Sequence, residues 1–129
     1  MSIAKKSKAK GKPLPPVYIA RCMAQACEGL HYAHNKKDEY GQTLGVVHRD
    51  VSPKNIMMNW EGVVKLTDFG IAKAANYFTN REGDVLLGKT QYMSPEQAAF
   101  METDARSDLF SLGICFYELL SGDCLFDDE

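Results

Sequence analysis

The sequence lacks any run of about eighteen consecutive apolar residues, the length that a membrane-spanning helix needs, and it has no apolar stretch of the secretory-signal kind near its start. We therefore expect no secretory or transmembrane segment, no membrane partner and a cytoplasmic location. The sequence also lacks an excess of charge of one sign, because 15 Lys and Arg residues stand against 17 Asp and Glu residues, for a net charge of −2. This balance gives no reason to expect nucleic acid as a general partner.

Cysteine is present without the spacing of a metal site. The four cysteines form no C-x-x-C pair, and no histidine lies near them at the separation typical of zinc ligands. Three of the four fall in apolar patterns of helical period, so we expect reduced thiols in or beside the core. The four are Cys22, Cys27, Cys115 and Cys124.

The first part of the chain differs in composition from the rest. Five lysines lie within the first twelve residues, and Gly11 followed by the proline-rich stretch 13–16 breaks any helix there. We predict a basic segment and linker over residues 1–14 and one domain over residues 15–129. We interpret the basic run as a solvated segment, with binding to an acidic partner as the alternative.

Apolar periodicity predicts two helices and a hairpin. Pro16 is a suitable first residue for a helix of about five turns, whose apolar stripe recurs at steps of four and three. Two short apolar runs, Ile56–Met58 and Val63–Leu66, are joined by turn residues and predict an antiparallel hairpin. From Asp108 the chain is apolar nearly all round, which predicts a buried helix that ends at Gly122. The polar residues 35–42 predict an exposed loop, and residues 71–93, poor in apolar side chains, predict a mobile segment.

The stretch His48 to Asn55 reads H-R-D-V-S-P-K-N, and Asp68-Phe69-Gly70 follows the hairpin. An Asp, an Asn five residues later and a second Asp thirteen further on can gather one general base and two oxygen ligands for Mg²⁺ around a polyphosphate. This spacing predicts a phosphoryl-transfer site. The alternative for Asp50 alone is an ordinary turn aspartate.

The two motifs, with Y-M-S-P-E-Q at residues 92–97 in the place of an A-P-E segment, resemble the protein kinases over residues 15–126. The resemblance is greatest to bacterial serine/threonine kinases of the H-R-D-V-S-P-x-N type. It implies an α+β, mostly helical C-lobe fragment with a small hairpin. No G-x-G-x-x-G and no V-A-I-K-like strand precedes Asp50, so we expect the N-lobe to be absent. The sequence stops at Glu129, just past the second large predicted helix, so we also expect the last C-lobe helices to be absent.

The resemblance implies transfer of the ATP γ-phosphoryl group to Ser or Thr hydroxyls of a protein substrate, with ATP and Mg²⁺ as cofactors. A longer gene product that supplies a complementary N-lobe is a further expected partner. Asp50 is implied as the base, and Asn55 and Asp68 as the metal and nucleotide ligands. Met57 is implied as the apolar floor beneath the adenine, with plain core packing as the alternative.

Regulatory and structural roles are also carried by the resemblance. Arg49 is implied to pair with a phosphorylated residue of the activation segment, for which Thr79 is the candidate and Tyr77 the second choice; Thr79 as an exposed loop threonine is the alternative. Phe69 is implied to control where Asp68 points. The implied structural residues are His48, a buried Glu96 without its usual arginine partner, and Asp108, which hydrogen-bonds the backbone of the catalytic loop.

Two positions depart from the common serine/threonine pattern. Ser52 stands where a lysine is usual, and Lys89 stands where a threonine is usual. We interpret them as an exchanged pair in which the cation reaches the phosphoryl group from the activation segment, with Lys54 as the competing cation. The alternatives to a kinase are a non-catalytic kinase-like binding module and an inactive truncated gene product.

Overall fold

A computed structural model of the protein describes residues 11–69 and 90–126. The described elements are helix α1 (Pro16–His34), a 3₁₀ turn (Pro53–Asn55), strands β1 (Ile56–Met58) and β2 (Val64–Leu66), a second 3₁₀ turn (Thr90–Tyr92), and helices α2 (Pro95–Ala98) and α3 (Ala105–Ser121). Helix α1 packs against both α3 and β2. The fold is thus α+β and mostly helical, as predicted.

Several predictions fall on residues that lie outside the described ranges. They include the basic run before Gly11, Tyr77, Thr79 and Lys89. Most of the segment 71–93 also lies outside, and its described part begins with the 3₁₀ turn at Thr90.

Helix α1 begins at Pro16, as its sequence indicates. Proline costs nothing at the first helical position, because the N–H that it lacks would have no partner within the helix there. The Pro15 carbonyl accepts from the Tyr18 N–H at 3.0 Å, which closes the first turn. The buried residues of α1 are the predicted stripe, namely Ile19, Met23, Ala26, Leu30 and Ala33. The core therefore forms along the face that the spacing specified.

The hairpin pairs β1 with β2 in antiparallel register, with Ile56 opposite Leu66 and Met58 opposite Val64. Strand β2 begins one residue later than predicted. The reason is local: the side-chain oxygen of Asn59 accepts from the Val63 N–H at 2.9 Å and from the Glu61 N–H at 3.0 Å, so Val63 belongs to the turn.

Helix α3 differs from the prediction of a wholly buried helix. It begins at Ala105, where the Asp104 carboxylate accepts from the Arg106 N–H at 2.8 Å, and it ends at Ser121, followed by Gly122 as a cap in the left-handed conformation with φ 80°. One face is buried, and several large apolar residues on the opposite face are exposed. These exposed residues are Leu109, Phe110, Phe116, Tyr117 and Leu120. An apolar run indicates that a helix can be buried, but the face that becomes buried depends on the segments that pack against the helix.

The main core joins α1, the loop that precedes the hairpin, the hairpin itself and α3. Its buried members include Leu30 from α1, Val51 from the loop, Val64 from β2 and Cys115 from α3. Cys27, by contrast, is exposed, because it lies one residue beyond Ala26 and so about 100° around the helix from the buried stripe. None of the helices in the described part of the chain is both long and apolar enough to cross a membrane.

Candidate active site

Asp108 of α3 anchors the loop that precedes the hairpin. Its Oδ2 atom accepts from the His48 backbone N–H at 2.8 Å, and its Oδ1 atom accepts from the Arg49 backbone N–H at 2.9 Å. The His34 Nε2 atom, at the end of α1, lies 2.7 Å from Oδ2. Asp108 is only 1% exposed, and a buried carboxylate is costly unless such donors satisfy it. These are the backbone contacts that the family resemblance implied for Asp108.

His48 connects the same loop to the chain beyond the hairpin. Its ring is fully buried; Nδ1 accepts from the Asp50 N–H at 3.1 Å, and Nε2 lies 2.9 Å from the Thr67 carbonyl. A nitrogen that accepts from an N–H carries no proton, so the other nitrogen is the one that donates to the carbonyl. The ring also lies against Phe69, with centroids 4.4 Å apart and the planes at 42°. His48 therefore contacts the backbone before Asp68 and the side chain after it.

Asp50 and Asn55 are joined directly. The Asn55 Nδ2 atom donates to the Asp50 carbonyl at 2.8 Å and to the Asp50 Oδ2 atom at 3.2 Å. The Asn55 carbonyl then accepts from the Thr67 N–H at 2.9 Å, immediately before Asp68. Asn55 is 1% exposed and Asp50 is partly buried, so only the Asn55 end of this connection is fully buried. The hairpin thus holds both prospective metal ligands at its open end, while the side chain of Asn55 holds the prospective base.

Asp68 has an unusual backbone conformation for a residue with a side chain. Its φ is 54°, in the left-handed region, and its carboxylate side chain is exposed. Such conformations cost about 1–3 kcal/mol and persist only where neighbouring contacts fix them. Here the fixed neighbours are Thr67, bonded to Asn55 and His48, and Phe69, which is half-buried against His48.

Arg49 is held by contacts from three different segments. Its N–H donates to Asp108, its carbonyl accepts from the Gln97 Nε2 atom at 3.1 Å, and its Nε atom donates to the Thr103 hydroxyl at 3.0 Å. Its φ is 63°, again in the left-handed region. The phosphorylated partner proposed for Arg49, Thr79, lies outside the described residues.

Ser52 and Met57 occupy contrasting environments. Ser52 is 5% exposed, and its hydroxyl oxygen has no hydrogen-bond partner within the described part of the chain. Met57 is 55% exposed on β1, so plain core packing does not explain it. Lys54 is also exposed, and Lys89 lies outside the described residues.

Glu96 is not the buried, unpartnered charge that was expected. It is half-exposed, and it accepts a hydrogen bond from the Ser107 hydroxyl. That hydroxyl stabilises the ionised form and lowers the pKa of Glu96. Because Glu96 is partly exposed and accepts this hydrogen bond, we do not expect its charge to destabilise the fold.

Sequence reasoning missed two other features of this region. Gln97 completes a capping box with Ser94 in addition to its contact with Arg49, and the S-x-x-Q spacing is a known signal for such a box. The Tyr92 hydroxyl donates to the buried Glu118 carboxylate, and burial together with this carboxylate raises the pKa of Tyr92. No periodic pattern signals a contact between residues so far apart in sequence.

Comparisons with known proteins agree with this geometry. A family model described as the protein kinase domain matches residues 2–129. A tyrosine-protein kinase of Myxococcus xanthus, MasK, is 49% identical over 109 residues, which are 84% of this chain and 17% of that protein. The serine/threonine-protein kinase PknB of Mycobacterium leprae is 41% identical over 112 residues, 86% of this chain and 17% of that protein. A probable serine/threonine-protein kinase of Clostridium perfringens is 48% identical over 91 residues, 70% of this chain and 13% of that protein.

The chain therefore spans less than a fifth of the length of each of these relatives. The match of the family model covers nearly the whole chain, including the loop from His48 to Asn55, the hairpin and α3. The chain belongs to the protein kinase family.

Proposed function

We propose that this chain carries the catalytic loop and the magnesium loop of a protein serine/threonine kinase, which transfers the γ-phosphoryl group of ATP to hydroxyl groups of a protein substrate. The observation that carries the proposal is the double contact of the Asn55 amide with Asp50, together with the bond from the Thr67 N–H to the Asn55 carbonyl. These hydrogen bonds connect the prospective base Asp50, the prospective metal ligand Asn55 and Thr67, which immediately precedes the second prospective ligand, Asp68. Catalysis of phosphoryl transfer depends mostly on such positioning.

Asp50 is the residue that would take or orient the proton of the attacking hydroxyl. Its side chain is only partly buried, and one carboxylate oxygen accepts from Asn55, so the group is held without being closed off from a substrate. A base placed in this way typically contributes about 10²–10⁴-fold to the rate.

The donor set fits Mg²⁺ that arrives with a nucleotide. Asn55 uses its amide nitrogen toward Asp50, which directs the amide oxygen elsewhere, and Asp68 presents an exposed carboxylate. Mg²⁺ is usually held by one or two such oxygen ligands together with the phosphates of the substrate. When bound, the metal would neutralise the charge on the phosphates.

Nucleotide binding requires more than this site. The exposed Met57 on β1 would supply one apolar surface for the adenine, and the other would come from an N-lobe with a glycine-rich loop. The 129 residues contain no such loop, so we propose a complementary N-lobe as a partner of this segment.

The acceptor hydroxyl is proposed to be Ser or Thr. The printed names of the Mycobacterium and Clostridium relatives favour this choice, and the name of the Myxococcus relative makes Tyr the alternative. Phosphoamino-acid analysis of a substrate labelled from [γ-³²P]ATP decides between them. Phosphoserine or phosphothreonine is expected, and phosphotyrosine alone would make the alternative correct.

The experiment uses the full-length gene product with casein as the acceptor. We expect ATP-dependent labelling that falls by at least about a hundredfold in Asp50→Asn, since the base is lost. The matched control is Asp38→Asn, the same chemical change in an exposed loop, where the amide keeps the oxygen that accepts from the Tyr40 and Gln42 N–H groups. Equal labelling by the wild-type protein and Asp50→Asn would refute the proposed function.

A further inference from the structure

The side-chain amide of Gln97 connects two parts of the site that lie 48 residues apart in sequence. Its Oε1 atom accepts from the Ser94 N–H at 3.1 Å and from the Ser94 hydroxyl at 3.3 Å, which caps helix α2. Its Nε2 atom donates to the Arg49 carbonyl at 3.1 Å. Gln97 is 4% exposed, so water does not compete for these contacts. One buried amide therefore serves both as a helix cap and as a contact to the catalytic loop.

The contact to Arg49 bears directly on Asp50, because the Arg49 carbonyl belongs to the peptide group that joins the two residues. The oxygen of this peptide group is held by Gln97, and its nitrogen donates to His48 Nδ1 at 3.1 Å. A peptide group is planar, so a contact at each side fixes the orientation of the whole plane. That plane sets the direction in which the Asp50 side chain leaves the backbone.

The same peptide group follows a strained residue. Arg49 has a φ of 63°, and a residue with a side chain keeps such a conformation only where several contacts hold it. Asp108 holds the N–H of Arg49, and Gln97 holds its carbonyl. Loss of the Gln97 contact would remove a hydrogen bond from a part-buried carbonyl and would free the plane to rotate about the strained residue.

We propose that Gln97 is a positioning residue for the prospective base Asp50, and that it acts through its one hydrogen bond to the Arg49 carbonyl. The proposal rests on the proposed function, since it assigns the role of base to Asp50. Gln97 touches no reacting atom. It acts by holding the peptide plane between Arg49 and Asp50.

The test measures kcat and the KM for ATP of the full-length gene product with casein as the acceptor. Gln97→Glu keeps an oxygen for Ser94 but sets a second oxygen against the Arg49 carbonyl, and Gln97→Met has a similar length with no hydrogen-bonding group. Both are expected to lower kcat by about tenfold to a hundredfold while KM changes by less than about twofold, because only the placement of the base is affected.

Ser94→Ala is the matched control, because it weakens the same helix cap and leaves the Gln97 contact to Arg49 in place. We expect it to lower the melting temperature and to change kcat by less than about twofold. In an Asp50→Asn background, Gln97→Met should reduce the residual rate by less than about twofold, because the residue that it positions is already lost.

Three results would overturn the proposal: an unchanged kcat in both Gln97 variants, an equal fold loss with and without Asp50, or unfolding of both variants at the assay temperature. The last result would make Gln97 a purely structural residue. A wild-type protein without any kinase activity would instead overturn the proposed function, and the wild-type measurement alone reveals it.

Discussion

Replacement of Asp108 by Asn should destabilise the backbone of the loop that contains His48 and Arg49. The two carboxylate oxygens accept from two different backbone N–H groups, those of His48 and Arg49. An asparagine has one acceptor oxygen, so its amino group must face one of these two N–H groups, whichever way the amide is turned. A buried N–H without a partner costs about 1–3 kcal/mol, and the bond that remains loses the assistance of the charge. We therefore expect the loop to be destabilised by about 2–4 kcal/mol.

Amide hydrogen exchange reports this change directly. Because about 1.4 kcal/mol corresponds to a factor of ten, exchange of the His48 and Arg49 amides should accelerate between about thirtyfold and a thousandfold. Mass spectrometry of peptides that span residues 46–51 of the full-length protein measures it. The control is Asp104→Asn, since Asn caps a helix about as well as Asp does. Exchange in Asp108→Asn within about threefold of the wild-type rate would show that Asp108 does not hold the loop.

Three further predictions concern other parts of the chain. If Ser52 and Lys89 are an exchanged pair, Lys89→Thr and Ser52→Lys should each lower turnover in the full-length protein, and the double change should recover much of the lost turnover. Additive losses in the double variant would contradict the exchange. Iodoacetamide at neutral pH should label the exposed Cys27 well before Cys115. The thiolate is the reactive form, and burial raises the pKa of the Cys115 thiol to about 12. Equal labelling rates of the two thiols would contradict this prediction. Burial and a neighbouring carboxylate raise the pKa of Tyr92, so the contribution of Tyr92 to stability is present below about pH 10 and is lost as the pH rises further. Denaturant unfolding of Tyr92→Phe should therefore show a smaller loss of stability above about pH 10 than the wild-type protein shows. Identical pH profiles of the two proteins would contradict this expectation.

Local patterns predicted the parts of the fold whose cause is local. The steps of four and three from Ile19 to Ala33 specified the buried face of α1, and Gly122 specified the end of α3, because each signal depends on neighbouring residues alone. Helix α3 begins three residues before the predicted start, because Asp104 caps it while the apolar run begins only at Asp108. Its exposed face was missed because burial depends on which segments pack against the helix.

The sequence indicated candidate residues for the site but not the contacts that connect them. The spacing from Asp50 to Asn55 and Asp68 indicated a phosphoryl-transfer site, and the hairpin between them forms as expected. The contacts of Arg49 with Gln97 and Thr103 span 48 and 54 residues, and no period or motif encodes such pairings. They arise from how α2, α3 and the loop pack together.

The proposed function assigns Asp50 the role of base and Asp68 the role of metal ligand in one phosphoryl-transfer site. The most direct measurement is a Mg²⁺ titration of kinase activity in the full-length protein, with Asp50→Asn and Asp68→Asn compared with the wild type. Asp50→Asn should lower the maximal rate by at least about a hundredfold at unchanged Mg²⁺ dependence and ATP binding, because the base acts in the transition state. Asp68→Asn should shift the activity to higher Mg²⁺ concentrations, because a charged metal ligand is lost. Equal and small effects of the two changes would contradict the claim and favour a kinase-like binding module.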